Sequence, residues 1–183
     1  MPDDFKIIIQ DPRSSTPGLG LVLWVKEVFG DQAPEYWKKV APKILTVTKG
    51  WSESYSLFLK GEADMVLSYT TSPAYHLIAE DDAGKTTAKF EEGHYMQVEV
   101  AGKLAGSDQP ELADAFLKFM LSDAFQEIIP TTNWMYPAAM PEAGLPEGFD
   151  DMMKPEKALL LSAQDAADKR AGALEEWRAA LSQ

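Results

Sequence analysis

Short β-branched runs alternate with longer segments of helical apolar spacing in the first part of the chain. Phe5 to Ile9 is a β-branched run that stops at Asp11-Pro12, as a buried strand does before a turn. The apolar run from Leu19 to Phe29 follows Pro17 and is closed by Gly30, which predicts a helix. Three hydroxyl residues ahead of the proline are candidate N-caps for this helix: Ser14, Ser15 and Thr16.

The same alternation continues to about residue 80. It predicts a helix from Pro34 to Val40, a strand from Ile44 to Thr48, a helix from Ser52 to Lys60, a strand from Asp64 to Tyr69 and a helix from Ser72 to Glu80. With the first strand and helix, the order is β-α-α-β-α-β. This order is typical of an α/β sheet with helical crossovers.

The second half begins with weaker strand patterns and a helix. Lys89-Phe90 and Tyr95 to Val100 have strand character. Asp108 with Glu111 resembles a capping box before a helix that runs to Leu121. We expect this helix to continue or restart after Ser122.

A long loop and a final helix complete the predicted elements. Prolines and glycines are dense from Pro130 to Pro155, so this segment is predicted to be mainly loop. Ser162 and Asp165 then form a second capping pattern. The helix that follows carries three large apolar residues on one side: Leu174, Trp177 and Leu181.

Composition narrows the classes of protein and partner. With 183 residues and 45% hydrophobic content, the chain is able to bury a normal core, as one large domain or one plus a small appendage. A net charge of −12 opposes binding to nucleic acid or anionic membranes. No apolar run approaches the roughly 20 residues that span a bilayer. The acidic start, Met1-Pro2-Asp3-Asp4, differs from a secretory signal, so we expect no signal peptide in this chain.

Signals for catalysis or metal binding are weak. The chain has no cysteine, which excludes disulfides, thiolate nucleophiles and cysteine-ligated metals. His76 and His94 lack a metal-ligand spacing, and both are predicted to be surface or loop residues. No GxSxG elbow is present. We therefore predict no catalytic residues, no metal and no cofactor.

The first helix start is a candidate anion site. Unpaired amides and a partial positive charge at a helix N-terminus attract anions, and Ser15 and Thr16 add hydroxyls there. The local pattern alone favours the alternative, in which one hydroxyl caps the helix and the others face water. Both interpretations remain open at this point.

Aromatic residues at the ends of strands form the second candidate. Trp51, Tyr69 and Tyr75 lie where strands run into loops, and Trp134 lies in a polar stretch. Such rings suit stacking with a flat, cationic or electron-poor ligand, although packing beneath loops is the alternative. Three other tryptophans follow helical patterns that predict core or interface positions: Trp24, Trp37 and Trp177.

Four segments carry a resemblance to a known family. QDPRSSTPGLGLVLW, TVTKGWSESYSLFLKGEADMVLSYTTSPAYH, EGHYMQVEV and TTNWMYP resemble the periplasmic thiamine-binding proteins of bacterial ABC importers, which are type II solute-binding proteins. The similarity runs along almost the whole chain. It implies an α/β fold, as one lobe of such a protein, with a mixed sheet flanked by helices and a helical C-terminal extension.

The resemblance also implies roles for the candidate residues. It assigns Ser15 and Thr16 to the phosphate side of thiamine phosphates, with Trp51 near the same end. Tyr69, Tyr75 and Trp134 are assigned to the walls around the thiamine rings. The implied ligand is thiamine or a thiamine phosphate, and the implied partner is an ABC permease in the inner membrane of a periplasm-containing bacterium.

Members of this family are longer, which implies a domain division. Residues 1–130 are expected to form the α/β ligand-binding lobe. Residues 131–183 are expected to form a loop and C-terminal helical segment that, in the full-length family, packs on an amino-terminal lobe missing here. We then expect weak thiamine binding by this chain alone. The final helix is expected to drive a homodimer or domain swap, or to pack on its own lobe.

The expected function is non-catalytic binding of thiamine, and of its phosphates, for an importer that works by lobe closure. A ferric-ion or other small-anion receptor of the same fold remains an alternative. Iron relatives favour adjacent tyrosines, whereas a loop separates Tyr69 from Tyr75. An enzyme that processes thiamine phosphate is the alternative from a different class.

Overall fold

Helices alternate with short strands in the computed structural model, which describes residue 2 and residues 4–182. The helices are α1 Thr16–Phe29, α2 Ala33–Val40, α3 Trp51–Leu59, α4 Ser72–Glu80, α5 Pro110–Met120, α6 Asp123–Gln126, α7 Ile129–Thr132 and α8 Ala163–Leu181. The strands are β1 Ile7–Gln10, β2 Ile44–Thr48, β3 Met65–Val66, β4 His94–Tyr95 and β5 Ala158–Leu159. The prediction about the acidic start rests partly on Met1 and Asp3, which lie outside the described residues.

The main sheet has three strands in the order β2-β1-β3, and a second sheet pairs β4 with β5. All four residues of the central strand β1 are buried, as expected for a β-branched run covered on both faces. The α/β class is confirmed. The predicted mixed sheet is not observed, because every strand pair within the described residues is parallel.

The chain divides into two compact units. Unit 1 comprises the described residues up to Ser68, Phe90–Gln97 and the described residues from Pro155 onwards. Unit 2 comprises Tyr69–Lys89 and Val98–Lys154. The division therefore differs from the predicted boundary at residue 130, because residues 131–154 belong to unit 2 and the final helix belongs to unit 1. The surface that residues 131–183 contact in a longer relative stays a prediction.

Unit 1 has a core formed by α1, α2 and α8. Trp37 is 2% exposed and Trp177 is 5% exposed, which confirms both as core residues. Leu174 and Leu181 pack against the same cluster. The apolar side of α8 is thus covered by its own unit, the last of the three outcomes expected for that helix. Trp24 is half-buried, and its indole N–H donates to the Gly93 carbonyl at 2.9 Å.

Unit 2 has a smaller core around α4. Phe149 is fully buried and packs with Ala74 and Met152. Phe149 and Met152 come from the proline- and glycine-rich segment, which is mainly loop as predicted, apart from α7 at its start. Among the described residues of both units, no helix is long and apolar enough to cross a membrane.

Several predicted elements are shorter than expected or differ at their ends. The strand expected over Asp64 to Tyr69 is only Met65–Val66, and Lys89-Phe90 is not a strand. The strand expected over Tyr95 to Val100 is replaced by His94–Tyr95. Alternating polarity suits a strand, but a strand forms only where a partner pairs with it.

The two predicted capping patterns have different outcomes. The hydroxyl of Ser162 accepts the Asp165 N–H at 3.1 Å, so the cap of α8 is confirmed. The Asp108 capping box is wrong, because Gln109 is the N-cap of α5 and makes no side-chain capping bond. The Gln109 N–H instead donates to the hydroxyl of Ser107 at 3.2 Å.

Candidate functional site

A tight turn joins the end of β1 to the start of α1. The Asp11 carbonyl accepts the N–H groups of Ser14, at 3.1 Å, and Ser15, at 2.9 Å. The buried Ser15 hydroxyl accepts the Gly18 N–H at 3.3 Å, which makes Ser15 the N-cap. The capping interpretation is thus confirmed for Ser15. Its hydroxyl proton remains available to a further acceptor.

The start of α1 still has capacity to bind an anion. Thr16 is exposed at the first helical position, where a backbone N–H has no acceptor inside the helix. The helix dipole adds a partial positive charge at this end. Capping by Ser15 and binding of an anion are therefore compatible.

A second helix start lies next to the first. The strand β2 ends at Thr48, and α3 begins at Trp51 after the N-cap Gly50. Two hydrogen bonds of 2.8 Å join the loops, from the Asp11 N–H to the Thr48 carbonyl and from the Ser14 hydroxyl to the Lys49 carbonyl. The starts of α1 and α3 thus meet at the carboxyl edge of a parallel sheet, where ligands of α/β proteins bind.

Two contacts fix the orientation of Trp51. Its indole N–H donates to the Ser68 hydroxyl at 2.8 Å. Its ring stacks on Tyr55 with centroids 4.6 Å apart and planes 20° apart. Trp51 is half-buried rather than freely exposed. Its indole therefore has a well-defined orientation at the start of α3.

Sequence reasoning missed Gln10, which links the elements beneath this edge. The amide of this fully buried residue donates to the Ser54 hydroxyl at 2.5 Å and to the Leu67 carbonyl at 3.0 Å. These bonds connect β1 to α3 and to the chain that follows β3. The sequence signal that could have identified Gln10 is a polar residue at the end of a buried, β-branched strand.

Asp11 and Arg13 neutralise each other beside the helix start. Arg13 donates to both carboxylate oxygens, with Nε to Oδ1 at 2.9 Å and Nη2 to Oδ2 at 2.5 Å. The hydrogen bonds from Arg13 hold the pKa of Asp11 below its ordinary value. The guanidinium also lies 6.0 Å from the ring centroid of Trp177. The cationic charge of Arg13 is therefore already paired.

This pair predicts a dependence of stability on pH. The lowered pKa of Asp11 stabilises the folded chain above the ordinary carboxyl pKa of about 4, and this contribution is lost as pH falls through the folded pKa. Between pH 6 and pH 3, the native chain should lose more unfolding free energy than Asp11→Asn in urea titrations. Arg13→Gln should match Asp11→Asn, since it removes the partner. Equal losses in all three proteins would contradict the pairing.

Unit 2 holds the other predicted aromatic residues. Tyr69 precedes α4, and its backbone N–H donates to the Ser72 hydroxyl at 3.2 Å. Tyr75 is 37% exposed and meets Trp134 edge-on, with centroids 5.2 Å apart. Trp134 has φ of +56°, a conformation that is costly for a bulky residue. The half-buried ring of Trp134 also packs against the unit 2 core, so its position is well defined.

A buried histidine lies behind Tyr75. His76 is 1% exposed, so its predicted surface or loop position is wrong, and its Nδ1 lies 2.7 Å from a Glu80 oxygen. The hydrogen bond with His76 is the largest cause that lowers the pKa of Glu80. A hydrogen bond from the Tyr75 hydroxyl to Glu80 raises the pKa of Tyr75. The i,i+4 spacing of His76 and Glu80 was the sequence signal that could have predicted this contact.

The second histidine, His94, is half-buried on β4, where burial lowers its pKa.

The buried His76 belongs to one cluster with metal-ligand character. Ligand atoms of His76, Glu80 and Asp82 all lie within 4.8 Å of one another. Glu80 is engaged by His76, and Asp82 pairs with Lys85 at 2.9 Å. The His76–Glu80 hydrogen bond and the Asp82–Lys85 ion pair account for the cluster without a metal ion, and the absence of a metal stays a prediction.

The six predicted site residues fall into two groups. Ser15, Thr16 and Trp51 lie in unit 1, at the joined helix starts. Tyr69, Tyr75 and Trp134 lie in unit 2, where the last two rings touch. A depression of about 520 Å³ beside α3 is lined by none of the six.

Comparisons with known proteins give a consistent result. Residues 8–127 match the family of bacterial extracellular solute-binding proteins. The chain is 57% identical to the thiamine-binding periplasmic protein of Salmonella typhimurium, covering 97% of this chain and 54% of the relative. It is 55% identical to the Escherichia coli protein of the same name, covering 98% of this chain and 54% of that relative.

A solved structure extends the likeness to three dimensions. The chain matches a periplasmic thiamin binding protein with a TM-score of 0.93 and 54% identity, over 98% of this chain and 56% of the other. The chain thus spans about half the length of the curated relatives it matches. The shared fold is that of periplasmic solute-binding proteins.

Proposed function

Because this chain belongs to the family of bacterial extracellular solute-binding proteins, we propose that it forms part of the substrate-binding component of an ABC importer for thiamine and its phosphates. The relatives at 55% and 57% identity are named as thiamine-binding periplasmic proteins. We assign the chain to the periplasm on the same basis. Thiamine is a flat, cationic molecule, and its phosphates add an anion at one end.

The paired helix starts of unit 1 carry this proposal. The Ser15 hydroxyl and the backbone N–H of the exposed residue Thr16 offer donors to a phosphate group. The dipoles of α1 and α3 favour negative charge at the same edge. Trp51 stands at the first position of α3 with its ring oriented by Tyr55 and Ser68. The donors for a phosphate group and the indole ring for stacking therefore lie next to each other at this edge of the sheet.

The aromatic residues of unit 2 suit the rings of the ligand. We assign Tyr69, Tyr75 and Trp134 to contacts with the thiamine rings, at roughly 0.5 to 2 kcal/mol for each favourable cation–π face. The edge-on contact of Tyr75 with Trp134 holds both rings in place.

We propose that the protein is not an enzyme and uses no cofactor. Binding would proceed by closure of two lobes, and the closed form would engage a permease in the inner membrane. The alternative homodimer or domain swap through α8 is disfavoured, because Trp177 is buried in its own unit. Turnover of thiamine phosphate by this chain would instead support the enzyme alternative.

Titration followed by NMR of the tryptophan indole N–H groups tests the site. Thiamine diphosphate should bind the chain weakly, with a Kd well above 1 μM, because the chain spans only about half of the relatives' length. The indole signals of Trp51 and Trp134 should shift. Those of the buried Trp37 and Trp177 should stay in place as internal controls. Submicromolar binding, or shifts confined to Trp37 and Trp177, would contradict the proposal.

Matched variants separate the roles of the residues in this titration. Trp51→Ala should weaken thiamine binding about fivefold or more. Tyr36→Ala, which removes an aromatic ring near the far end of α1, should leave binding unchanged.

Ser15→Asn and Ser15→Asp both keep an N-cap side chain. Only the aspartate should abolish the preference for thiamine diphosphate over thiamine, because it adds a repelling charge. An unchanged preference in Ser15→Asp would exclude Ser15 from the phosphate end.

A further inference from the structure

The amide group of Gln10 lies at the end of a strand that is otherwise aliphatic. Gln10 is 0% exposed and ends β1, after three buried isoleucines. Its Nε2 donates to the Ser54 hydroxyl at 2.5 Å and to the Leu67 carbonyl at 3.0 Å. An amide nitrogen carries two hydrogens, so both donors of Gln10 bind other elements of unit 1.

Stability alone does not explain a glutamine at this position. The other polar atom of the amide, Oε1, is buried and accepts no hydrogen bond from the residues that the structure describes. A buried acceptor without a donor lowers the stability of the folded chain. An apolar side chain of similar length would leave no such acceptor in the strand. The reason for the amide therefore lies in what its two donors hold in place.

The first donor of Gln10 leads to the main chain of Trp51. The Ser54 hydroxyl, which accepts the hydrogen bond from Gln10, donates in turn to the Trp51 carbonyl at 2.8 Å. Ser54 is 0% exposed and lies one turn after Trp51 on α3. Because burial keeps water from competing for these bonds, they fix the first residue of α3 relative to the end of β1.

The second donor leads to the indole of the same tryptophan. Leu67, whose carbonyl accepts from Gln10, directly precedes Ser68. The Ser68 hydroxyl accepts the indole N–H of Trp51 at 2.8 Å. The main chain and the ring of Trp51 are thus both connected to one buried amide.

We propose that Gln10 is a positioning residue for Trp51, whose indole it orients for contact with the ligand without touching the ligand itself. A binding group is held in its productive orientation by hydrogen bonds from residues behind it, and the two donors of Gln10 supply such bonds. This inference rests on the proposed function for the ligand. The link from Gln10 to Trp51, however, is measurable without any ligand.

The indole N–H signal of Trp51 in the ligand-free chain tests this link by NMR. Gln10→Met removes both donors and keeps an unbranched side chain of similar length. It should shift the Trp51 signal and speed the exchange of this indole proton with water at least about threefold. Gln126→Met is the matched control and should leave the signal in place. Gln126 is also a buried glutamine, but it bonds to the main chain of Met120 and Ala139 in unit 2.

A second variant makes the test independent of how well Gln10→Met folds. Ser54→Ala removes only the hydroxyl that joins Gln10 to the Trp51 carbonyl, and it should shift the same indole signal. Circular dichroism verifies the fold of each variant. An unchanged Trp51 signal in both Gln10→Met and Ser54→Ala would overturn the proposal, as would an equal shift in Gln126→Met.

Thiamine titrations of single and double variants test the consequence for binding. Gln10→Met should raise the Kd about threefold to fivefold, and no more than Trp51→Ala does. In the Trp51→Ala chain, Gln10→Met should change the Kd less than about 1.5-fold, because the residue through which it acts is gone. Full additivity of the two losses would overturn the proposal.

Failure of the proposed function would give a different result. The Trp51 signal of the unaltered chain would then not respond to thiamine at all. The shifts that Gln10→Met and Ser54→Ala cause in the ligand-free chain would still decide whether Gln10 positions Trp51.

Discussion

Replacing Trp177 by alanine should lower the free energy of unfolding by about 3 to 5 kcal/mol. The indole is 5% exposed and lies in the cluster that α8 forms with α1 and α2. Its removal leaves a cavity at the centre of unit 1 and withdraws the ring that lies near Arg13. Urea titration followed by circular dichroism measures the loss.

Two further variants sharpen this prediction. The indole N–H of Trp177 is buried and has no hydrogen-bond partner in the described chain. Trp177→Phe removes this unpaired donor and should therefore cost far less than alanine. Arg170→Ala, on an exposed position of the same helix, should change stability by less than about 0.5 kcal/mol. If Trp177→Ala lowered the free energy of unfolding no more than Arg170→Ala does, the observed packing of α8 in the core of unit 1 would be contradicted.

Gly18→Ala should also destabilise the chain, by about 1 to 3 kcal/mol, although alanine favours helices. A Cβ at this position would lie 2.6 Å from the Gln10 carbonyl oxygen and 3.0 Å from the Asp11 backbone. The start of α1 would have to move away from the end of β1. Denaturant titration measures the loss, and the thiamine diphosphate titration should show weaker binding in the same variant.

Gly20 offers a matched control on the same helix. A Cβ at Gly20 meets only the Tyr95 ring, at 3.7 Å, which is ordinary contact. Gly20→Ala should therefore be neutral or stabilising by up to about 1 kcal/mol. If both alanine variants had the same stability, close approach of α1 to β1 would not be the reason for Gly18.

Local signals predicted the ends of several elements correctly. Ser15 caps α1, Gly30 follows its last residue with φ of +52°, and Ser162 caps α8. These interactions join residues within about four positions of each other, so the chain near each end specifies them. The strand over Ile44–Thr48 was likewise predicted with its observed bounds.

Elements that need a distant partner were predicted less well. The pattern over Tyr95 to Val100 has strand polarity, but pairing reaches only Tyr95. The run from Asp64 to Tyr69 pairs with β1 over two residues. Periodicity describes which face of a strand is apolar, whereas hydrogen bonding depends on the neighbour that the fold supplies.

The candidate site shows the same division. Residue type and position at strand ends indicated Ser15, Trp51 and Tyr75. The links that orient them, such as the bond from Trp51 to Ser68 and the edge contact of Tyr75 with Trp134, join residues 17 and 59 positions apart. No local pattern contains such pairs.

By itself, the sequence determined the α/β order of elements, the ends of the main helices, and a set of hydroxyl and aromatic groups suited to a flat cation with a phosphate. Only the tertiary structure decided which apolar helix faces are covered. The stripe of α8 packs against α1 and α2. In α5, by contrast, the apolar residues Leu112, Phe116 and Phe119 are exposed. Both stripes have a helical spacing in the sequence, at i, i+3, i+7 in α8 and at i, i+4, i+7 in α5. Amphipathic periodicity indicates that a helix needs a partner, whereas long-range packing decides whether it meets one.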